Sequence, residues 1–197
     1  MTRRLRYGVA VSLDGFIAGP NGEYDWIVMD SSIDFAAMYK DFDTAVMGRK
    51  TYEVLTAQGG NGALPGLDVV VFSRTLRAAT YPGVRILNDD PREVVAALKA
   101  QSGRDIWLYG GGTLFRSLLD AGLVDTVEVA VVPVLLGAGV PLLPPGTTTK
   151  PCWPTRRPFR RAASWPCRTQ YLAASDLRRA FVTSRQLRFD RRRRSGP

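Results

Sequence analysis

Three stretches of this chain are almost uninterruptedly apolar: 44–47, 67–72 and 105–109, broken only by Thr44, Asp68 and Asp105. A strand with one wet face alternates apolar and polar residues. A run such as LDVVVF can be buried only if it is covered on both faces, as in a sheet with helices on either side. Further strands are expected at 5–11, 84–87 and 124–132, where β-branched residues cluster. Helical spacing separates them. Phe35, Met38, Tyr39 and Phe42 predict a helix over 33–42, capped by Ser31 or Ser32. A short helix is expected from Thr51 through Leu55. Asp90-Pro91-Arg92-Glu93 is a helix start, with an acid at the cap, proline at the first position and glutamate at the third. That helix turns Val94, Val95 and Leu98 inward and ends at Gly103. A last helix runs through Leu119, and 133–145 reads as an apolar Gly/Pro-rich loop. The alternation predicts an α/β fold.

What is missing narrows the chemistry. The 197 residues contain no histidine, which removes Ser-His-Asp and Cys-His nucleophiles, His-ligated zinc and any imidazole base. The two cysteines, Cys152 and Cys167, have no metal-ligand spacing and suggest no disulfide framework, so no metal is expected. No apolar run approaches the ~20 residues of a membrane span, and the N-terminal apolar run is too short for a secretion signal. A cytoplasmic protein without membrane partners is expected.

The formal charge of +9 is unevenly placed. Residues 1–150 carry 14 Lys/Arg against 16 Asp/Glu, whereas 151–197 carry 13 Arg against only Asp176 and Asp190. The body is slightly acidic, and the basic character belongs to a compositionally foreign tail.

Three strand-to-helix junctions carry groups suited to phosphate. Gly110-Gly111-Gly112-Thr113 lets a backbone approach a ligand closely before a helix N-terminus, whose free N–H groups favour anions. It is neither a Walker loop nor a GxGxxG motif. Gly48-Arg49-Lys50-Thr51 places two cations and a hydroxyl at a second helix start. Ser73-Arg74 follows a third strand. Each is ordinary alone. In an open α/β sheet all three fall where ligands bind, at carboxyl strand ends, and together they suggest a phosphate-rich nucleotide.

VSLDGFIAG (11–19), MGRKTYE (47–53), VVFSRT (70–75) and LYGGGTLFRSLL (108–119), in this order, resemble the dihydrofolate reductase superfamily. The likeness is greatest to the branch containing the riboflavin-biosynthesis reductase domain and its stand-alone bacterial relatives. It covers residues 4–146. The resemblance implies a mixed, mostly parallel sheet flanked by helices, with NADPH as hydride donor. It places Gly48, Arg49, Lys50 and Thr51 on the adenosine side and pyrophosphate, and Ser73 and Arg74 on the 2′-phosphate. Gly110, Gly111, Gly112, Thr113 and Leu114 would wrap the pyrophosphate and nicotinamide ribose, with a cis peptide between two of the glycines. Ala10 and Ile17 would line the nicotinamide. For catalysis it offers Asp14, which would lie beside substrate, and Asp34, with Asp30 as its rival on the first helix. Trp26 would wall the substrate pocket. The implied reaction is hydride transfer to a C=N or C=O bond. The default substrate is an aminouracil bearing a phosphoribosyl chain, with a dihydrofolate or pterin reductase as the alternative and a nucleotide-binding protein without turnover as a competing class. Stand-alone relatives imply a homodimer, with the PVLLGAGVPLLP segment as a contact surface.

The family ends in an antiparallel hairpin, which CWPTRRPFRRAASWPCRTQ does not resemble. Residues 1–146 are therefore read as the reductase domain and 147–197 as a separate Arg-rich tail. Shifting the frame back one nucleotide after Lys150 permits a strand-and-turn sequence like the family's ending, so the tail reads as a frameshift product. A basic nucleic-acid arm or an unrelated natural terminus are the other readings. Nucleic acid is not the expected partner, because such arms mix Lys with Arg and rarely carry tryptophan.

Overall fold

The computed structural model describes residues 2–27, 37, 39–57, 60–77 and 83–146. Their elements, in chain order, are β1 (Leu5–Ser12), β2 (Phe16–Ala18), β3 (Phe42–Gly48), α1 (Arg49–Ala57), β4 (Asp68–Phe72), β5 (Arg85–Leu87), α2 (Pro91–Ala100), β6 (Asp105–Tyr109), α3 (Gly112–Asp120), β7 (Thr126–Val132) and β8 (Val140–Pro141). Six strands form one sheet in the order β5-β4-β3-β6-β1-β7. Every pairing within it is parallel. Among the described residues, the only antiparallel strand pairing joins β2 to β8 in a separate two-stranded ribbon.

The apolar runs explain the layering. Along β6, Ile106 and Leu108 face one way, with Leu5, Tyr7, Val46 and Val70, and pack under Val95 and Leu98 of α2 and Leu114, Phe115 and Leu118 of α3. Trp107 faces the other way, with Ala45, Met47, Val69 and Val71, and packs with Tyr52 of α1 and with Leu64. Burying both faces of strands β3, β4 and β6 places them at the sheet's centre. Tyr7 stacks on Phe115 with ring centroids 3.9 Å apart. Its hydroxyl is fully buried without a hydrogen-bond partner among the described residues, and burial pushes its pKa up. By contrast, strand β7 lies at the sheet edge and is only half-buried along most of its length.

At the amino ends of the strands, buried Arg3 ties three segments together. Its guanidinium pairs with Asp43 and donates to Thr44 Oγ1 (2.7 Å) and to the carbonyl of Arg104 (2.7 Å). Arg6 grips Glu128 with two nitrogens (2.8 and 3.0 Å) while lying over the Phe42 ring.

Two expectations are corrected here. Phe42 does not end a helix; it opens β3, after helical Tyr39 and a turn at Lys40 and Asp41. Its partners decide this, because Phe42 pairs with Asp105 and its ring packs on Trp107. Tertiary pairing overrides the helical spacing. No cis peptide occurs among the described residues; positive φ at Gly110 (63°) and Gly111 (81°) turns the chain there instead. Smaller differences are that β5 starts at Arg85 rather than Val84, and that the 133–145 loop contributes β8. Asp30 and half of the 33–42 stretch, including Asp34, lie outside the described residues, as does the whole tail from residue 147.

Candidate functional site

Because the six strands are parallel, their carboxyl ends share one edge. Val46 is level with Leu108 and Gly48 with Phe72. The Gly48, Ser73 and Gly110 junctions therefore lie side by side. A Cβ built on Gly110 or Gly111 would stand 3.1–3.2 Å from the Thr51 side chain, and one on Gly112 would stand 2.7 Å from the Pro141 carbonyl. The triple glycine is thus held between the first turn of α1 and the segment around β8, with room for backbone only.

The three helix starts at this edge differ. That of α2 is satisfied by its own chain: the Asp90 carboxylate accepts from Arg92 N (2.9 Å) and Glu93 lies in the first turn. Asp90 is accordingly held at a pKa of about 2, chiefly by the Arg92 side chain. The start of α3 has Gly111 at the cap, no side-chain cap bond and no acid in its first turn. That of α1 also lacks an acid and carries Arg49 and Lys50. Like charge at the positive end of a helix is unfavourable unless an anion joins it. The Arg49 guanidinium donates to Glu53 across one turn (2.7 Å). Lys50, Arg74 and Arg77 have no ion-pair or hydrogen-bond partner for their side chains among the described residues. Ser73 is buried, and its Oγ accepts from the amides of Thr75 (3.1 Å) and Leu76 (2.9 Å), which shapes the loop presenting Arg74. Thr113 is exposed on the first turn of α3, whereas the Leu114 side chain belongs to the core.

On the other side of the triple glycine lie the residues assigned to nicotinamide and substrate. Ala10 sits half-buried on β1 opposite Ala130 of β7, and Ile17 is half-buried on β2. The Asp14 carboxylate accepts from Ser12 Oγ (2.6 Å) and from the amides of Gly137 (2.7 Å) and Leu136 (3.0 Å). These bonds, Ser12 first, hold its pKa below the ordinary carboxylate range. Asp14 is ionised at neutral pH and latches the 133–137 loop to the loop after β1. That loop junction continues through Leu13 N to Val134 O and Leu142 N to Gly15 O, both 2.9 Å. The Trp26 indole donates to the Glu23 carbonyl (3.2 Å), within its own turn.

Sequence reasoning passed over an aromatic group on the same face as Ala10. Tyr109 ends β6, pairs in register with Gly8, and meets Trp107 edge-on with centroids 4.6 Å apart. Tyr39 lies 5.6 Å from Trp107. The signal was present: Tyr109 is two residues from Trp107 on a strand, hence on its face, and immediately precedes the triple glycine.

The model of a family described as RibD C-terminal domain matches residues 3–171. The uncharacterized protein YyaP of Bacillus subtilis is 36% identical over 151 residues, covering 71% of this chain and 80% of that protein. The riboflavin biosynthesis protein RibD of Mycobacterium tuberculosis is 33% identical over 147 residues, but these are only 42% of its length and 66% of this chain. Among solved structures, a putative riboflavin biosynthesis protein from Shewanella aligns with a TM-score of 0.61 and 27% identity, covering 76% of this chain and 86% of that one. Dihydrofolate reductase from Enterococcus faecalis, complexed with NADP(H), aligns with a TM-score of 0.55 and 18% identity over 72% of this chain and 79% of that one, a likeness of fold.

Proposed function

Since the chain belongs to the RibD C-terminal domain family and has the dihydrofolate reductase fold, we propose that it is an NADPH-dependent reductase of a small planar heterocycle. One observation carries the reading: two helix starts without acidic side chains in their first turns, the triple glycine and several cations unpaired among the described residues share one edge of an all-parallel sheet. NADPH fits the residues present. The glycines leave only backbone where a pyrophosphate would press, and the α3 N-terminus offers N–H donors there. Lys50 and the backbone of Gly48 and Thr51 would meet the pyrophosphate from α1, while Arg74, presented by Ser73, would take the 2′-phosphate. Arg49, engaged with Glu53, would serve the adenosine side by exchanging a weak exposed ion pair. When bound, the cofactor supplies the hydride.

The protein's own part is to position and exclude water. Ala10 and Ile17 would floor the nicotinamide. An ionised carboxylate is no proton donor, so Asp14 would orient the loops beside the substrate, with Trp26 at the rim. Asp34 is retained as the proposed acid of the first helix. The aminouracil class follows from the resemblance to RibD. Spectrophotometry of NADPH oxidation with a panel of aminouracils and pterins tests the reading. Turnover of one class is expected; binding of NADPH without turnover of any would leave a nucleotide-binding protein.

We further propose a cytoplasmic homodimer built at the β7 edge. No helix among the described residues is long and apolar enough to cross a membrane. Leu13, Leu135 and Leu143 are exposed on the loops next to that edge. Sedimentation velocity at micromolar concentration is expected to show a dimer, and a monomer alone would refute it. Residues 1–146 are proposed as the reductase unit and 147–197 as a frameshift product, which sequencing the gene across codon 150 decides.

A further inference from the structure

Tyr109 ends the strand that leads into the triple glycine. It is half-buried, and its aromatic ring is fixed edge-on against Trp107. Its hydroxyl meets no hydrogen-bond partner among the described residues, whereas the Tyr52 hydroxyl donates to the Asn61 carbonyl (3.0 Å). Nor is it sealed in the core, since among the described residues Tyr7 alone has a buried hydroxyl without a partner. An ordered phenol with an accessible, unpaired hydroxyl is poised to bond something other than the protein.

The surroundings say what. Register places Gly8 directly opposite Tyr109, and Ala10 follows two residues on along the same face. The Trp107 indole covers Gly8, its nitrogen 2.8 Å from where a Cβ would stand, so the low floor on this face is Ala10 alone. Burial first, and then the nearby Tyr39 and Tyr24 from two other segments, keep the pKa of Tyr109 above the ordinary tyrosine value. The hydroxyl therefore stays protonated across the working range, able to donate one hydrogen bond and accept another.

We propose that Tyr109 is a specificity-determining residue of the reductase site, its hydroxyl hydrogen-bonding the polar edge of a planar heterocycle that lies past the Trp107 indole, on the Ala10 side and beside the nicotinamide. The inference rests on the reductase reading for the identity of the neighbouring group, but not for its test. A flat ring with alternating donors and acceptors, such as an aminouracil, matches a phenol that can do both. A purely apolar ring would leave the hydroxyl unmet.

The test is calorimetric titration of 5,6-diaminouracil into the full-length protein and its Tyr109→Phe variant, with NADPH titrated separately. Phenylalanine keeps the ring and its contact with Trp107 and removes only the oxygen. Affinity for diaminouracil is expected to fall about tenfold, the size of one hydrogen bond to an otherwise buried polar group, while NADPH affinity and melting temperature stay unchanged. Equal diaminouracil affinity in the two proteins would overturn the proposal. So would a matching loss of NADPH affinity, which marks a structural role, or failure of the parent protein to bind diaminouracil at all. A parent that binds diaminouracil but not NADPH, with the tenfold loss in the variant, supports the role of Tyr109 and refutes the cofactor reading.

Discussion

Arg74→Ala is expected to bind NADPH and NADH with nearly equal affinity. The two cofactors differ by one 2′-phosphate, a dianion near neutral pH, so discrimination requires a fixed cation where the adenosine ribose sits. Arg74 follows the carboxyl end of β4, and among the described residues no acid or carbonyl engages its guanidinium. The loop carrying it is braced by Ser73, whose hydroxyl accepts two backbone amides. An arginine fork can grip two phosphate oxygens. One such contact is worth about 1.5–3 kcal/mol, or roughly a 10- to 100-fold preference for NADPH in the parent protein. The variant should lose most of that preference by weakening NADPH alone, as fluorescence titration of both cofactors would reveal. Arg77, equally unpaired on the same loop, would account for any remainder, which Arg74→Ala/Arg77→Ala would remove. Equal affinities in the parent protein would show that these arginines serve another purpose.

The largest loss of stability is expected from Arg3→Ala. The Arg3 side chain is 4% exposed and pairs with Asp43, which is 30% exposed. It also holds Thr44 and the carbonyl of Arg104. Deleting it leaves partly buried acceptors unmatched, which costs more than the pair's net worth. The expected destabilisation is about 2–4 kcal/mol, read from the midpoint of urea unfolding. Arg3→Met separates the two contributions: it retains much of the stem's packing but not the charge, so it should recover only part of the loss. A midpoint unchanged in Arg3→Ala would mean that Asp43 and Thr44 find water instead.

The parts of this molecule readable in the sequence are those set by neighbours along the chain. Consecutive apolar residues in VVVF and DIWLY announced a sheet covered on both faces. Asp90-Pro91 announced its own helix. The three glycines announced a backbone-only contact, although the groups pressing on them, Thr51 and Pro141, come from elsewhere. What escaped is set by distant partners. The Asp14 carboxylate is read differently once Leu136 and Gly137 are seen donating to it, from over 120 residues away. Phe42 kept helical spacing with Phe35, Met38 and Tyr39, yet the strand pairing with Asp105 claims it. Arg49 and Lys50 looked equivalent, although Glu53, one turn on, was a local clue that Arg49 has a partner.

The position of β1 has a kinetic meaning. Its two sheet neighbours are β6 and β7, so Leu5 pairs with Ile106 and its amide donates to the Asp125 carboxylate across 120 residues of chain. Synthesised before the other described strands, β1 must wait until almost all the described chain has emerged before it can find its place. Strands β3, β4 and β5 need no such wait, because each pairs in turn with the next along the chain. Early structure should therefore gather around them, with β1 inserting late into a slot between β6 and β7. High contact order of this kind slows folding. Until that insertion the carboxyl edge of the sheet is broken between Tyr109 of β6 and Ala130 of β7, so the proposed ligand site is completed by the last step of folding rather than the first.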